Sequence, residues 1–263
     1  MKARVAIPVF PGTNSEEETL RILRDVGLDA EIVHWSRGDR LFQYDAFVLP
    51  GGFAYEDRVR AGAIAAHDRM MDAVVDAAIG GKLVLGLCNG AQMLLEAGLV
   101  PGTGAIRRPT AAFTHNGPDG KFVCRHVFVK LSVAPERSPI TAALAPGALI
   151  PAWAAHAEGR LAAPPEHLQE IVDGGHLAFV YTHANGSTDA DAIPNQSALG
   201  AAALVNVEGN VLAIMPHPER DAWTFNHPDS PEGRAARGNA ERMLRPSGGA
   251  ALFESFAKGL ALV

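Results

Sequence analysis

The sequence predicts an α/β protein with an open, doubly wound and mostly parallel sheet, flanked by helices and carrying an added antiparallel extension. Short apolar runs alternate with amphipathic runs over the first hundred residues, which is the rhythm of βαβ units. After residue 100 the rhythm changes, because the extended segment 122–133 has no helix before it. Functional loops in such sheets lie at the carboxyl ends of the strands, so we expect the candidate residues there.

The first βαβ unit occupies the first fifty residues. Apolar runs predict strands over 3–10, 29–35 and 46–49. Between the first two strands, Ser15 precedes Glu18 by three residues, which predicts a capping box at the start of an amphipathic helix. Pro50 and two glycines follow the third strand directly, and the glycines place a permissive turn at its carboxyl end.

The next unit contains the most distinctive stretch of the chain. We expect a helix over 60–79 with Ile64 on its apolar face, ended by Gly80, and then a buried strand over 82–87. A helix over 91–97 follows this strand after only a few residues. A strand therefore turns sharply into a helix at this point.

The rest of the chain predicts extended structure, turns and a final helix. Composition rich in Pro, Gly, Arg and Asn predicts a long surface excursion over 222–249. No repeat or linker interrupts the chain, so we expect residues 1–263 to form one domain. The expected elements are strands over 149–157 and 177–181, a short helix over 164–171, a loop over 184–196, a hairpin of 201–207 with 210–215, and a helix over 252–260.

Composition excludes several classes of protein. The chain has 263 residues, 48% hydrophobic and 20% charged, which is enough for a sizeable core. Its net charge of −6 argues against nucleic acid or an acidic membrane surface as a partner. No apolar run is long enough to span a membrane or to form a signal peptide. With only Cys88 and Cys124 we expect no disulfide framework and a cytoplasmic location.

Cys88 lies where the predicted strand turns into the predicted helix. Gly86 and Gly90 flank it, which is the pattern of a nucleophile elbow with Cys in place of Ser. The flanking residues must be small because the nucleophile adopts strained backbone angles. The positive end of the following helix favours the thiolate over the thiol. The alternative is a buried core cysteine, which is the commoner state of a lone thiol.

A cysteine nucleophile needs a base, and His217 is the candidate. It ends a predicted strand between Pro216 and Pro218, with Glu219 two residues further on. Residues i and i+2 of an extended segment point the same way, so the carboxylate is expected to orient the imidazole. The alternative is a proline-rich turn with an exposed histidine. His156 and Glu158 have the same spacing and form a rival pair that the residues alone leave open.

Gly51 and Gly52 follow the third strand and predict close backbone approach to a ligand. With the N–H of Asn89 they are candidates for an oxyanion hole. The alternative is an ordinary Gly-Gly turn. Elsewhere, Cys124 and His126 share a face of a predicted strand, but two ligands do not make a zinc site, so no metal site is expected. Without a Walker or GxGxxG motif, no nucleotide site is expected either.

The motifs at 49–55, 60–65, 86–92, 155–160 and 215–220 together resemble those of class I glutamine amidotransferases. More narrowly, they resemble the glutaminase subunits of phosphoribosylformylglycinamidine synthase, whose domain is flavodoxin-like. The resemblance implies that Cys88 attacks the side-chain amide of glutamine and forms a γ-glutamyl thioester, while His217 shuttles the proton and Glu219 orients it. The implied oxyanion and glutamine contacts come from Gly51, Gly52, Phe53, Asn89 and Gln92.

The resemblance also implies partners. Ammonia would pass to a separate synthetase subunit, where ATP and Mg²⁺ drive conversion of formylglycinamide ribonucleotide to the amidine in purine synthesis. No cofactor is expected in this chain, and a small accessory subunit is an expected partner. Two residues depart from the family, since Glu56 and Gln196 stand where Gly is common, and the segment 224–246 is longer than in the shortest members.

Two other functions remain open on the residues themselves. One is a stand-alone thiol hydrolase of similar architecture, such as a γ-glutamyl hydrolase or peptidase. The other is a non-catalytic binding or stress-response module on the same sheet. A glutaminase subunit should have low activity alone and gain activity with its partner, whereas a stand-alone hydrolase should be fully active alone. A non-catalytic module should form no glutamyl thioester on Cys88.

Overall fold

The computed structural model describes residues 2–117, 119–227 and 231–262. Its strands are β1 (Arg4–Val9), β2 (Asp29–His34), β3 (Ala46–Leu49), β4 (Leu83–Leu87), β5 (Ala112–Thr114), β6 (Val123–Leu131), β7 (Leu149–His156), β8 (Arg160–Ala162), β9 (Leu177–Thr182), β10 (Ala201–Val205) and β11 (Val211–Ile214). Its α-helices are α1 (Glu16–Asp25), α2 (Arg69–Ile79), α3 (Asn89–Glu96), α4 (Pro165–Asp173), α5 (Pro231–Ala236), α6 (Ala240–Met243) and α7 (Ala250–Gly259).

Within these residues, nine strands form one mixed sheet in the order β2-β1-β3-β4-β11-β10-β9-β6-β7. The pairings from β2 to β11 are parallel, and those from β11 to β7 are antiparallel. Strands β5 and β8 form a separate antiparallel pair. The predicted α/β class, with a parallel core and an antiparallel extension, is confirmed. The single domain over 1–263 remains a prediction.

Strand β4 lies at the centre of the sheet and is buried on both faces. Val84 belongs to the apolar cluster that contains residues of α2 and α3, whereas Leu85 belongs to the cluster that contains residues of α1 and α7. A strand covered on both sides has no polar face, which explains its continuous apolar run. Burial of each such aliphatic side chain stabilises the fold by about 1.5–3 kcal/mol. The stable centre fixes the position of the turn that follows β4.

The start of α1 differs from the prediction. The helix begins at Glu16, but the side chain of Ser15 does not cap it. Instead, Ser15 Oγ accepts a hydrogen bond of 2.7 Å from the N–H of Gly51. The expected capping box is therefore wrong, because the hydroxyl joins the helix start to the turn after β3.

The helix expected over 60–79 is wrong in its first half. Helix α2 begins at Arg69, and the Asp68 side chain caps it by accepting the N–H of Met70 at 2.8 Å. Gly62 has a positive φ of 78°, and a Cβ there would lie 2.7 Å from the backbone nitrogen of Met93. The preceding segment therefore packs against α3 instead of continuing the helix, and Ile64 is exposed.

The excursion over 222–249 is on the surface only in part. Ala222 and Trp223 are buried, and Trp223 Nε1 donates to Asp25 of α1 at 2.9 Å. Arg21 of the same helix lies over the indole ring. The start of this segment is thus anchored to α1, contrary to the prediction. Across the described residues, no helix combines the length and apolar character that a bilayer crossing requires.

Candidate active site

Cys88 forms a strained turn between β4 and α3. Its φ of 49° and ψ of −104° lie outside the regions that L-residues favour, and its side chain is only 4% exposed. A Cβ on Gly90 would lie 2.2 Å from the carbonyl oxygen of Leu49, and one on Gly86 would lie 2.7 Å from the carbonyl oxygen of Gly90. The two glycines are therefore required by backbone contacts, as a nucleophile elbow demands.

His217 follows β11, the strand that pairs with β4 in parallel. Its backbone pairs with Trp153 of β7 through bonds of 2.8 and 3.1 Å. Its ring Nδ1 lies 2.5 Å from Oε1 of Glu219, and both side chains are almost completely buried. The pairing is as predicted, but the reason is different, since Pro218 is helical with φ −69° and ψ −26°. A tight turn, not an extended segment, returns the carboxylate to the ring.

The sheet brings Cys88 and His217 to the same edge. A Cβ on Gly51 would lie 2.5 Å from Cε1 of His217 and 3.4 Å from Cβ of Cys88, so both side chains flank this glycine. The carboxyl ends of β3, β4 and β11 thus supply the turn, the thiol and the imidazole. Three separate sequence motifs converge on one site, as expected for adjacent parallel strands.

The charges around His217 favour its protonated form. Burial alone would lower the pKa of this imidazole, but the carboxylate of Glu219 and the sulfur of Cys88 outweigh it and raise the pKa above the ordinary value. The second carboxylate oxygen of Glu219 is buried and has no hydrogen-bond partner among the described residues. Glu219 can therefore direct its charge at the imidazolium.

The rival pair of His156 and Glu158 does not form. Oε2 of Glu158 accepts the N–H of Ala61 at 3.1 Å, and Oε1 lies 3.6 Å from Nδ1 of His115. His156 is 2% exposed, and its two ring nitrogens have no partner in the described part of the chain. Burial and the nearby His217 lower the pKa of His156 to about 3. His156 is thus a buried, neutral imidazole whose pKa responds to the charge of the nearby His217.

The structure narrows the candidate oxyanion donors. The N–H of Gly51 donates to Ser15 Oγ, and the N–H of Phe53 donates to the carbonyl of Gly12 at 2.8 Å. Both N–H groups therefore already have acceptors within the chain, and the role of Gly51 and Phe53 at the oxyanion remains a prediction. Gly52 N–H has no acceptor among the described residues. Asn89 is the first residue of α3, where the N–H has no acceptor within the helix.

The side chains of Asn89 and Gln92 hold the elbow in place. Asn89 accepts the N–H of Ala54 at 3.0 Å and donates to Asp57 and Gln92 at 3.1 and 2.8 Å. Gln92 Nε2 donates to the carbonyl of Glu158 at 2.5 Å. Both polar ends of Gln92 therefore have partners within the chain. Burial and the charge of Glu158 raise the pKa of Asp57 to about 6.

Two asparagines that the sequence analysis missed fix the segment beside His156. Asn116 Nδ2 donates to the carbonyl of His156 at 2.8 Å, and Asn116 Oδ1 accepts the N–H of Gly159 at 3.0 Å. Asn195 Nδ2 donates to the carbonyl of Gly159 at 2.6 Å. Both asparagines lie in turn sequences, but no local signal identifies their distant partners.

Comparisons with known proteins agree with this geometry. The family model described as "CobB/CobQ-like glutamine amidotransferase domain" matches residues 2–255. A PurQ subunit of phosphoribosylformylglycinamidine synthase from Symbiobacterium thermophilum is 42% identical over 218 residues, covering 82% of this chain and 87% of the relative. The PurQ subunit of Pyrococcus furiosus is 40% identical over 222 residues, covering 84% and 91%.

A solved structure extends the similarity to the whole fold. The structure of PurLQS from Thermotoga maritima contains a chain with 29% identity and a TM-score of 0.71, covering 97% of this chain and 98% of that one. The match includes both the parallel core and the antiparallel extension, because nearly all of each chain is aligned. The chain therefore belongs to the CobB/CobQ-like glutamine amidotransferase family, in the branch of the PurQ subunits of phosphoribosylformylglycinamidine synthase.

Proposed function

We propose that this chain is the glutaminase subunit of a phosphoribosylformylglycinamidine synthase, with Cys88 as the nucleophile, His217 as the base and Glu219 as its orienting group. The observation that carries the proposal is the convergence of the strained Cys88 elbow with a buried His217–Glu219 pair. Its support from relatives is the 42% identity to a PurQ subunit. The activity is hydrolysis of glutamine to glutamate and ammonia in purine biosynthesis.

The reaction begins with proton transfer between Cys88 and His217. The thiolate attacks the side-chain amide carbon of glutamine, and the C=O electron pair moves to oxygen. The N–H groups of Gly52 and Asn89 are the donors that the geometry leaves for this oxyanion. One such donor is worth roughly 10²–10³ in rate.

Collapse of the intermediate breaks the carbon–nitrogen bond. The His217 imidazolium gives its proton to the leaving nitrogen, which departs as ammonia and leaves a γ-glutamyl thioester on Cys88. Neutral His217 then takes a proton from water, whose oxygen attacks the thioester and releases glutamate and the thiolate. Glu219 stabilises the imidazolium in both halves, because it contacts Nδ1 and leaves Nε2 for the transfer.

The partners proposed are a synthetase subunit and a small accessory subunit. The PurLQS structure of Thermotoga maritima supports this, because its name joins a PurQ component with two others. ATP and Mg²⁺ are assigned to the synthetase subunit, where the ammonia is consumed. No cofactor is assigned to this chain, and its cytoplasmic location remains a prediction.

The test uses the chain assembled with its partner subunits. Cys88→Ala and Cys88→Ser should lower glutamine-dependent synthesis by roughly 10⁴-fold or more. Synthesis from added ammonia should survive, because that reaction bypasses the thiol. Cys124→Ser is the matched control, since this second cysteine is exposed on β6 and should leave both activities intact.

Loss of both activities in the Cys88 variants would contradict the proposal and make the thiol structural. Full glutaminase activity of the isolated chain, with no gain on adding the partners, would favour a stand-alone hydrolase. Failure to trap a thioester with glutamine or a reactive analogue would favour a non-catalytic module.

A further inference from the structure

Three potential metal ligands meet where the antiparallel extension contacts the excursion over 222–249. His126 lies on β6, Asp221 ends the short 3-10 helix Glu219–Asp221, and His227 follows the short 3-10 helix Thr224–Asn226. Their ligand atoms all lie within 4.8 Å of one another. The tertiary fold brings them together, because Asp221 is 95 residues away from His126 along the chain.

Each oxygen of the Asp221 carboxylate faces one imidazole. His126 Nε2 lies 2.7 Å from Oδ2, and His227 Nε2 contacts Oδ1. The carboxylate is fully buried, whereas both imidazoles are partly exposed, so an ion can enter from solvent. Ser247 Oγ donates to the backbone carbonyl of Asp221 at 2.9 Å and helps to fix this residue.

The donor set matches a transition-metal site. In the described residues, the ion-pair partners of Asp221 are these two imidazoles, not a lysine or an arginine. The two rings pack edge to face with centroids 4.9 Å apart, and the Nε2 atoms of both lie against the same carboxylate. A divalent cation coordinates neutral imidazole nitrogen and carboxylate oxygen together, so one ion can be shared by all three groups.

We infer that His126, Asp221 and His227 bind one divalent transition metal ion, with Zn²⁺ the best match, and that the ion fastens the excursion to β6. Two nitrogens and one oxygen suit zinc better than Mg²⁺ or Ca²⁺, which prefer oxygen ligands. Bonds of about 2.0–2.1 Å in a tetrahedron place ligand atoms roughly 3.4 Å apart. The ligand atoms of the cluster all lie within 4.8 Å of one another, which is compatible with that spacing.

The zinc test uses the full chain with both thiols replaced, Cys88→Ser with Cys124→Ser, because free thiols bind zinc on their own. Calorimetric titration with Zn²⁺ should show one ion bound per chain. His126→Ala and His227→Ala should each weaken binding by roughly 100-fold or more, since even residues behind the ligands typically contribute 10–100-fold. Zn²⁺ should raise the unfolding temperature of the parent, and His227→Ala should lose that increase.

The matched control is His183→Ala. His183 also contacts a carboxylate, that of Asp189 at 2.9 Å, but this exposed pair has no third ligand among the described residues. Its removal should leave zinc affinity within about 3-fold of the parent, because substitutions at independent sites affect each other only weakly. Absence of stoichiometric zinc binding, or equal affinity in the His126 and His227 variants and the parent, would overturn the inference. Both ligand histidines are partly exposed, so these variants decide the matter even if Asp221→Asn fails to fold.

Discussion

Two His-X-Glu triplets lie beside each other in this protein, and only one forms an imidazole–carboxylate pair. His217 Nδ1 is 2.5 Å from Oε1 of Glu219, whereas the carboxylate of Glu158 accepts the N–H of Ala61 and leaves His156 unpaired. The sequence spacing is the same in both. Spacing therefore does not determine which histidine acquires a carboxylate partner.

The backbone after each histidine makes the difference. Pro218 is helical and opens the short 3-10 helix that brings Glu219 back to the ring. In the other triplet, His156 is the last residue of β7. The side chain of Asn116 donates to the carbonyl of His156, and Gly159 packs against its ring. As a result the two buried imidazoles have opposite pKa shifts, raised for His217 by its charged neighbours and lowered for His156 by burial.

The largest expected effect separates the two histidines as bases. His217→Ala should lower glutamine-dependent synthesis by the assembled complex by roughly 10³–10⁴-fold, because the general base is lost. His156→Ala should lower it by less than about 10-fold, since this neutral ring has no carboxylate partner to hold it as a base. Ammonia-dependent synthesis measured on the same samples is the control for intact folding and assembly. A severe loss with His156→Ala and a mild one with His217→Ala would reverse the assignment.

A smaller effect should separate the two carboxylates. Glu219→Gln should lower the glutamine-dependent rate by roughly 10²-fold, less than removal of His217, since an orienting group contributes less than the base. Its loss should also return the pKa of His217 towards the ordinary value, which an NMR titration of the ring measures. If the His217 ring titrates at the same pH in Glu219→Gln as in the parent, Glu219 does not stabilise the imidazolium.

Glu158→Gln is the matched control for that prediction. The glutamine oxygen can still accept the N–H of Ala61, so the rate should stay within about 3-fold of the parent. An equal loss in both variants would mean that charge near the site, not the His217–Glu219 contact, determines the rate.

The sequence predicts the site best where the determinants are local. The Cys88 elbow depends on Gly86 and Gly90, which stand next to it in the chain, and its strained geometry is present. The local pattern predicts the wrong partner for the Ser15 hydroxyl, because Gly51 approaches it only in the folded sheet. The use of Ser15 therefore depends on a tertiary contact that no local pattern records.

Glu56 and Gln196, the two positions where the resemblance implies glycine, share one backbone conformation. Both have a φ of 59°, in the left-handed region where glycine is favoured. Glycine adopts this conformation without strain, so each of the two longer side chains carries a backbone cost of about 1 kcal/mol. The residue type alone does not predict this dihedral angle, because the angle depends on the folded turn.

The smallest expected effect is on the free energy of unfolding. Its pH dependence should have opposite signs for the two histidines. The folded pKa of His156 is about 3, below the ordinary 6.5, so the parent should lose stability as the pH falls below about 6.5. At about pH 5 this loss is on the order of 2 kcal/mol, and His156→Gln should not show it. The folded pKa of His217 is raised, so its contribution is complete below about pH 6.5 and is lost as the pH rises through the raised value.

Denaturant unfolding of the parent, His156→Gln and His217→Gln across this pH range measures how each histidine's contribution to stability changes with pH. The stability deficit of His217→Gln relative to the parent should be largest at or below about pH 6.5 and shrink in alkali. The deficit of His156→Gln should shrink in acid instead, because the variant avoids the cost of protonating a buried ring. Parallel pH profiles for the two variants would mean that the two buried imidazoles share one environment, and the distinction between the triplets would fail.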